Sequence, residues 1–174
     1  VGRRAVGERR FDIVFSNAAL QWLPYHDRLY PALFNRVAPG GALAIQVPAN
    51  LDAPAHRAMR DLAGSAAWRP LFPPAGVREW HVHGARFYYD CLAPAAVRLD
   101  IWATEYIQVM ESAAAIVDWY RGTGLRPWLD ALARDEDREL FLTQYRALIA
   151  QAYPPAADGR VLFPFRRLFL VAYR

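Results

Sequence analysis

Phe11-Asp12-Ile13-Val14-Phe15-Ser16-Asn17, continuing into Ala18-Ala19-Leu20-Gln21-Trp22-Leu23-Pro24, is an apolar run that stops abruptly at a small polar pair. Phe11 to Phe15 are rich in aromatic and β-branched side chains. A short run of that kind reads as a strand covered on both faces, as in a parallel sheet. Ser16-Asn17 marks its carboxyl end. In open α/β sheets ligands bind outside the carboxyl ends of the strands, so Asn17 and the following Gln21-Trp22 are placed on a functional rim.

Working outward, Pro24 and Asp27 open a helix whose apolar positions Leu29, Tyr30, Leu33, Phe34 and Val37 keep the helical period. Ala38-Pro39-Gly40-Gly41 ends that helix. Ala42 to Val47 reads as a second buried strand, and Pro48-Ala49-Asn50 repeats the strand-end pattern. Strand, helix and strand then form a right-handed crossover between parallel neighbours. Downstream, a short helix is expected over Pro54 to Ala63. The Pro- and Trp-rich connection Ala66 to Val82 has the length of a lid or binding loop. A helix over Ala85 to Ala93 turns Phe87, Tyr88, Cys91 and Leu92 inward, and Val97 to Met110 is a long strand. Two helices follow, around Ala113 to Ala133 and from Asp135 to Ala152, the second opening on Asp135-Glu136-Asp137, acids that suit a helix amino terminus. Val161 to Tyr173 is the final strand. Residues 1–10, basic and without apolar periodicity, read as a flexible lead-in.

The chain has 174 residues, 55% of them apolar, which suits one globular domain rather than disorder. The net charge of +4 comes from arginine alone, since the sequence has no lysine. The arginines alternate with acids and pair only at Arg3-Arg4, Arg9-Arg10 and Arg166-Arg167, which speaks against a nucleic-acid surface. One cysteine, Cys91, excludes an intrachain disulfide and fits a reducing compartment. No run approaches the roughly 20 apolar residues of a membrane span. These features set the expectation of a cytoplasmic protein with no membrane or nucleic-acid partner.

Five further stretches, together with Phe11 to Pro24, carry a resemblance: Gly41-Ala42-Leu43-Ala44-Ile45-Gln46-Val47-Pro48-Ala49-Asn50, Tyr88-Tyr89-Asp90, Asp100-Ile101-Trp102, Thr123-Gly124-Leu125-Arg126-Pro127-Trp128-Leu129 and Arg167-Leu168-Phe169. In type and order they are similar to the motifs of the trans-aconitate 2-methyltransferase family, class I methyltransferases that use S-adenosylmethionine. The resemblance implies a Rossmann-like α/β sheet with parallel strands and an antiparallel last strand, Val161 to Tyr173, inserted between the Ala42 and Val97 strands. It also implies a helical cap over residues 111–152 above the carboxyl-end rim. The family has Asp-His where this chain has Tyr25-His26.

Class I methyltransferases hold the cofactor mainly with a Gly-rich turn after the first strand and an acid after the second. Neither motif occurs in these 174 residues, and Gly122-Thr123-Gly124 reads as a break between helices. The chain thus looks like the carboxyl-terminal two thirds of the family. Two expectations follow from the resemblance. These residues alone bind S-adenosylmethionine weakly, and the unpaired edge of the Phe11 strand promotes self-association.

Methyl transfer to a carboxylate needs no strong base, because the acid is already ionised at neutral pH. The task is to place the carboxylate oxygen in line with the methyl and to exclude water. Arginine suits the remaining carboxylates of a small polycarboxylate through its planar fork. On the resemblance, Asn17, Gln21 and Trp22 contact the cofactor, while Arg126, Arg167, Tyr89, Trp128 and Gln46 contact the substrate; Arg134 is taken as a solvated helix-end residue. His81-x-His83 with His56 lacks the partners of a metal site. The competing readings are a methyltransferase acting on another small acid or phenol, and a non-catalytic remnant or interaction module.

Overall fold

The computed structural model describes residues 9–74, 76–77 and 80–174. The expected lead-in falls almost wholly outside them. Four strands form one sheet in the order β1 (Phe11–Asn17), β2 (Val37–Pro48), β4 (Val161–Tyr173), β3 (Arg98–Met110). β1 and β2 are parallel, and β4 runs antiparallel to β2 with Ala42 opposite Tyr173 and Pro48 opposite Arg167. The last strand therefore lies between β2 and β3, as the resemblance implied. Among the described residues no helix is long and apolar enough to cross a membrane.

The chain divides into two compact units. The first comprises Val1–Ala49, Trp80–Thr104 and Arg166–Arg174. Here α1 (His26–Phe34) and α3 (Ala85–Leu92) cover one face of the sheet. Leu43, Ile45 and Val47 of β2 and Leu168, Leu170 and Ala172 of β4 point to that face and pack with Tyr30, Phe34, Tyr88 and Leu92. Side chains alternate across a strand, so Ile13, Ala42 and Tyr173, and likewise Phe15, Ala44 and Val171, share the other face. That face is open along β1, where Ile13 and Phe15 are 68% and 70% exposed. This corrects the expectation of a strand covered on both faces. An apolar run reports the cover its side chains are made for, and no described element supplies it on the second face.

A second correction concerns Val37, expected on the helix but found as the first residue of β2 and opposite Phe11. Its helical spacing from Leu33 and Phe34 is overridden by strand pairing, for Phe11 N–H donates to Arg36 O at 2.8 Å. The register between β1 and β2 shifts just after this pair, where the Pro39-Gly40-Gly41 stretch adds residues to β2. Gly40 sits at φ +78°, and a Cβ on Gly41 would lie 2.5 Å from Asp12 O, so both glycines are required for different reasons.

The second unit comprises Asn50–Glu79 and Glu105–Phe165. α2 (Pro54–Gly64), with proline at its first turn, and α6 (Asp135–Ala152) pack with α4 (Ala113–Arg121) around Met59, Ile116, Val117, Tyr120, Phe141 and Tyr145. The helix expected over Ala113 to Ala133 is two helices, α4 and α5 (Arg126–Ala131), and they part at Gly122-Thr123-Gly124. There a Cβ on Gly124 would come within 3.3–3.4 Å of Tyr120 and His56. α6 begins at Asp135 as its acids foretold, but Arg134 is no idle helix end. Its guanidinium donates to both carboxylate oxygens of Asp137, at 2.6 and 2.8 Å, and holds that carboxyl below its usual range.

Candidate functional site at the end of β1 and β2

β1 and β2 end together, with Asn17 opposite Gln46. The chain leaves β1 through Ala18, held at φ +50°. Left-handed backbone at a non-glycine residue costs on the order of 1–2 kcal/mol, so its surroundings must impose it. They do: Ala18 N–H donates to Gln46 O at 3.0 Å, and Ala18 O accepts from Gln21 Nε2 at 2.8 Å. The Gln21 backbone carbonyl accepts from His81 N–H in the connection before α3. Gln21 is buried, yet its Oε1 has no hydrogen-bond partner. Trp22 packs edge-on against Trp80, centroids 5.7 Å apart.

Gln46 is the centre of this rim. Its side chain shares a sheet face with Arg167, and its Oε1 accepts from Arg167 Nη1 at 3.0 Å. A guanidinium only donates, so the amide orientation is fixed and Nε2 is left as the opposite end. That Nε2 is buried and has no hydrogen-bond partner. An orphaned donor beside a guanidinium is complementary to an anion.

Behind the rim, His26 is held by two contacts. Nε2 lies 3.0 Å from Leu20 O, which can only accept, so Nε2 carries the proton and Nδ1 accepts from Tyr88 OH at 3.0 Å. Tyr88 OH in turn accepts from His83 N–H. Burial, with the nearby His83 and His81, lowers the His26 pKa, so the ring is a neutral fixture. Tyr88 is core, as its inward place on the helix predicted; in the sequence His26 has no visible partner, because the two residues meet through packing of α1 on α3.

The structure thus brings Asn17, Gln21, Gln46 and Arg167 into one connected group, with Trp22 on the adjoining turn. Tyr89 is exposed on α3, away from the buried side that Tyr88 occupies. Arg126 and Trp128 belong to the second unit. Arg126 is largely exposed and lies 3.5 Å from Asp130, while Trp128 is half-buried against Phe72. Also in that unit, Asn50 is buried, donates to Tyr120 OH at 3.3 Å, and leaves its Oδ1 unsatisfied. Among the described residues no group of three His, Cys, Asp or Glu is placed to hold a metal.

No protein-family model matches the chain. Its curated relatives are methyltransferases. They carry the name trans-aconitate 2-methyltransferase: that of Azoarcus sp. (strain BH72) is 52% identical over 171 residues, covering 94% of this chain and 63% of the relative. That of Yersinia pestis (strain Pestoides F) is 50% identical over 163 residues, covering 93% of this chain and 62% of the relative. Along nearly all of its own length, then, the chain is homologous to the trans-aconitate 2-methyltransferases, and it spans a little under two thirds of theirs. Among solved structures, a putative methyltransferase from Bacillus halodurans is 15% identical with a TM-score of 0.45, covering 98% of this chain and 67% of that one.

Proposed function

We propose that these 174 residues belong to an S-adenosylmethionine-dependent O-methyltransferase that forms a methyl ester on a small polycarboxylate such as trans-aconitate. The similarity to the Azoarcus relative, spread over 94% of the chain, carries this reading. The rim fits both ligands in kind. The buried, unpartnered Oε1 of Gln21 is an acceptor suited to an amino group, and Asn17 and Trp22 adjoin it, so these three would hold part of the cofactor. When bound, the cofactor supplies an electrophilic methyl group on a sulfonium.

Gln46 and Arg167 act on the acceptor. The Arg167 guanidinium attracts and orients a carboxylate that does not react, and Gln46 both aims the guanidinium and offers its own Nε2–H. The reacting carboxylate is ionised at neutral pH and needs no base, so orientation is the whole of the contribution. By the motif it stands in, Arg126 is assigned to substrate binding as well.

The test joins this chain to the amino-terminal segment of the Azoarcus relative and assays the product by mass spectrometry with S-adenosylmethionine and trans-aconitate. A mono-methyl ester is expected. A folded, cofactor-binding chimera that methylates a phenol or a monocarboxylate instead overturns the substrate. One that methylates nothing supports a non-catalytic module.

A further inference from the structure

We propose that the second unit carries a separate binding site for a small organic monoanion with a flat apolar body, an aromatic carboxylate being the chemical type. An open pocket of about 770 Å³ is bounded by Arg60, Arg69, Pro70, Phe72, Pro74 and Trp128, with Gly64 among its smaller lining residues. Pockets for small molecules typically span about 300–1,000 Å³ and are mostly apolar with a few convergent polar groups. This one has that make-up. Phe72 and Trp128 meet edge to face at 5.4 Å, and Phe72 also packs at 5.7 Å on Phe141, which is fully buried. The aromatic wall is therefore anchored to the core and formed in advance.

The two cations differ. Arg60 is tethered: its Nη2 donates to Leu51 O at 2.9 Å and lies 4.0 Å from Asp52. Arg69 is exposed at the pocket and has no acidic partner among the described residues. None of the described lining residues is acidic. One uncommitted guanidinium beside Trp, Phe and Pro surfaces selects one negative charge joined to a flat apolar group. A polycarboxylate is disfavoured, because its further charges would be desolvated against apolar walls without partners.

The 174-residue chain is titrated with 2-naphthoate, 2-naphthamide and trans-aconitate while the Trp128 indole signal, assigned by its absence from W128F, is followed by NMR. No cofactor is present, so the outcome is independent of the methyl-transfer reading. 2-Naphthoate is expected to shift the Trp128 signal. Arg69→Gln should weaken that binding by about tenfold, Arg69→Lys should recover part of it, and the uncharged amide should bind about tenfold more weakly. The proposal fails if the Trp128 signal does not move, if Arg69→Gln leaves affinity unchanged in a folded chain, or if trans-aconitate shifts the signal at lower concentration than 2-naphthoate.

Discussion

Gln46 and Arg167, far apart in sequence, are joined by a 3.0 Å hydrogen bond that the antiparallel register of β2 and β4 sets. The bond separates folding from ligand binding. Gln46→Glu keeps the shape and turns the contact into an ion pair, which neutralises the guanidinium. In the full-length protein we expect the fold to survive, while the KM for a polycarboxylate rises roughly 10- to 150-fold, the worth of a charge-assisted hydrogen bond. An unchanged KM, with melting also unchanged, would remove the pair from the substrate site.

Gly40 and Gly41 are neighbours with different demands. Gly41→Ala drives a methyl into the backbone at Asp12 O, at 2.5 Å, where nothing flexible can yield. The expected loss is on the order of 3 kcal/mol, in the upper range for point mutations. Gly40→Ala meets open space and is strained only by its φ of +78°, for about 1 kcal/mol. Urea melts of the two variants should preserve that order.

His56, buried edge-on against Tyr120 at 5.1 Å, has a pKa lowered to about 4, first by burial and then by the charge of Arg60. The unfolded chain binds the proton more readily, so this contribution is complete above about pH 6.5 and is lost as pH falls toward 4. Its size is at most about 3 kcal/mol. The stability read from urea melts should fall between pH 7 and 4.5, and His56→Gln should flatten that pH dependence. His26 is shifted the same way, so the variant comparison is what isolates His56.

Arg134, expected to be solvated, is held more firmly than Arg126. Arg134→Lys loses a two-point grip on Asp137 and should lower the melting temperature slightly, whereas the single-contact Arg126–Asp130 pair contributes little. Arg126→Lys is therefore a clean probe of substrate binding. A strong rise in KM in the full-length protein supports a clamp at Arg126. An unchanged KM makes the block around it structural.

The open face and unpaired edge of β1 should make the isolated 174 residues self-associate. Phe15→Lys places a charge on that face without touching the packed side. Sedimentation should show the variant shifted toward monomer; identical association in both chains would place the contact elsewhere.

Much of the fold was legible because strands announce themselves locally. Val161 to Tyr173 has the bounds read from its composition, and its place between β2 and β3 came from the family resemblance. Val37 misled because its spacing from Leu33 fits a helix, and only pairing with Phe11 overrides it. Tyr88 and Tyr89 are adjacent, so one step of helical phase sends one into the core and the other to solvent. The Gln46–Arg167 bond depends on register between distant strands, and the Arg69 pocket on how a proline-rich connection folds. No local pattern encodes either.

The position of β4 also bears on how the chain assembles. β2 and β3 are never direct neighbours, so the sheet is two separate pieces until the strand synthesised last of the four arrives between them. On the ribosome the sheet must wait for its keystone, and closure pairs residues with long sequence separation, a slow step in folding. Trp102 and Phe169, stacked at 5.2 Å with their planes 7° apart, form only at that moment. Their fluorescence offers a clock for the final insertion.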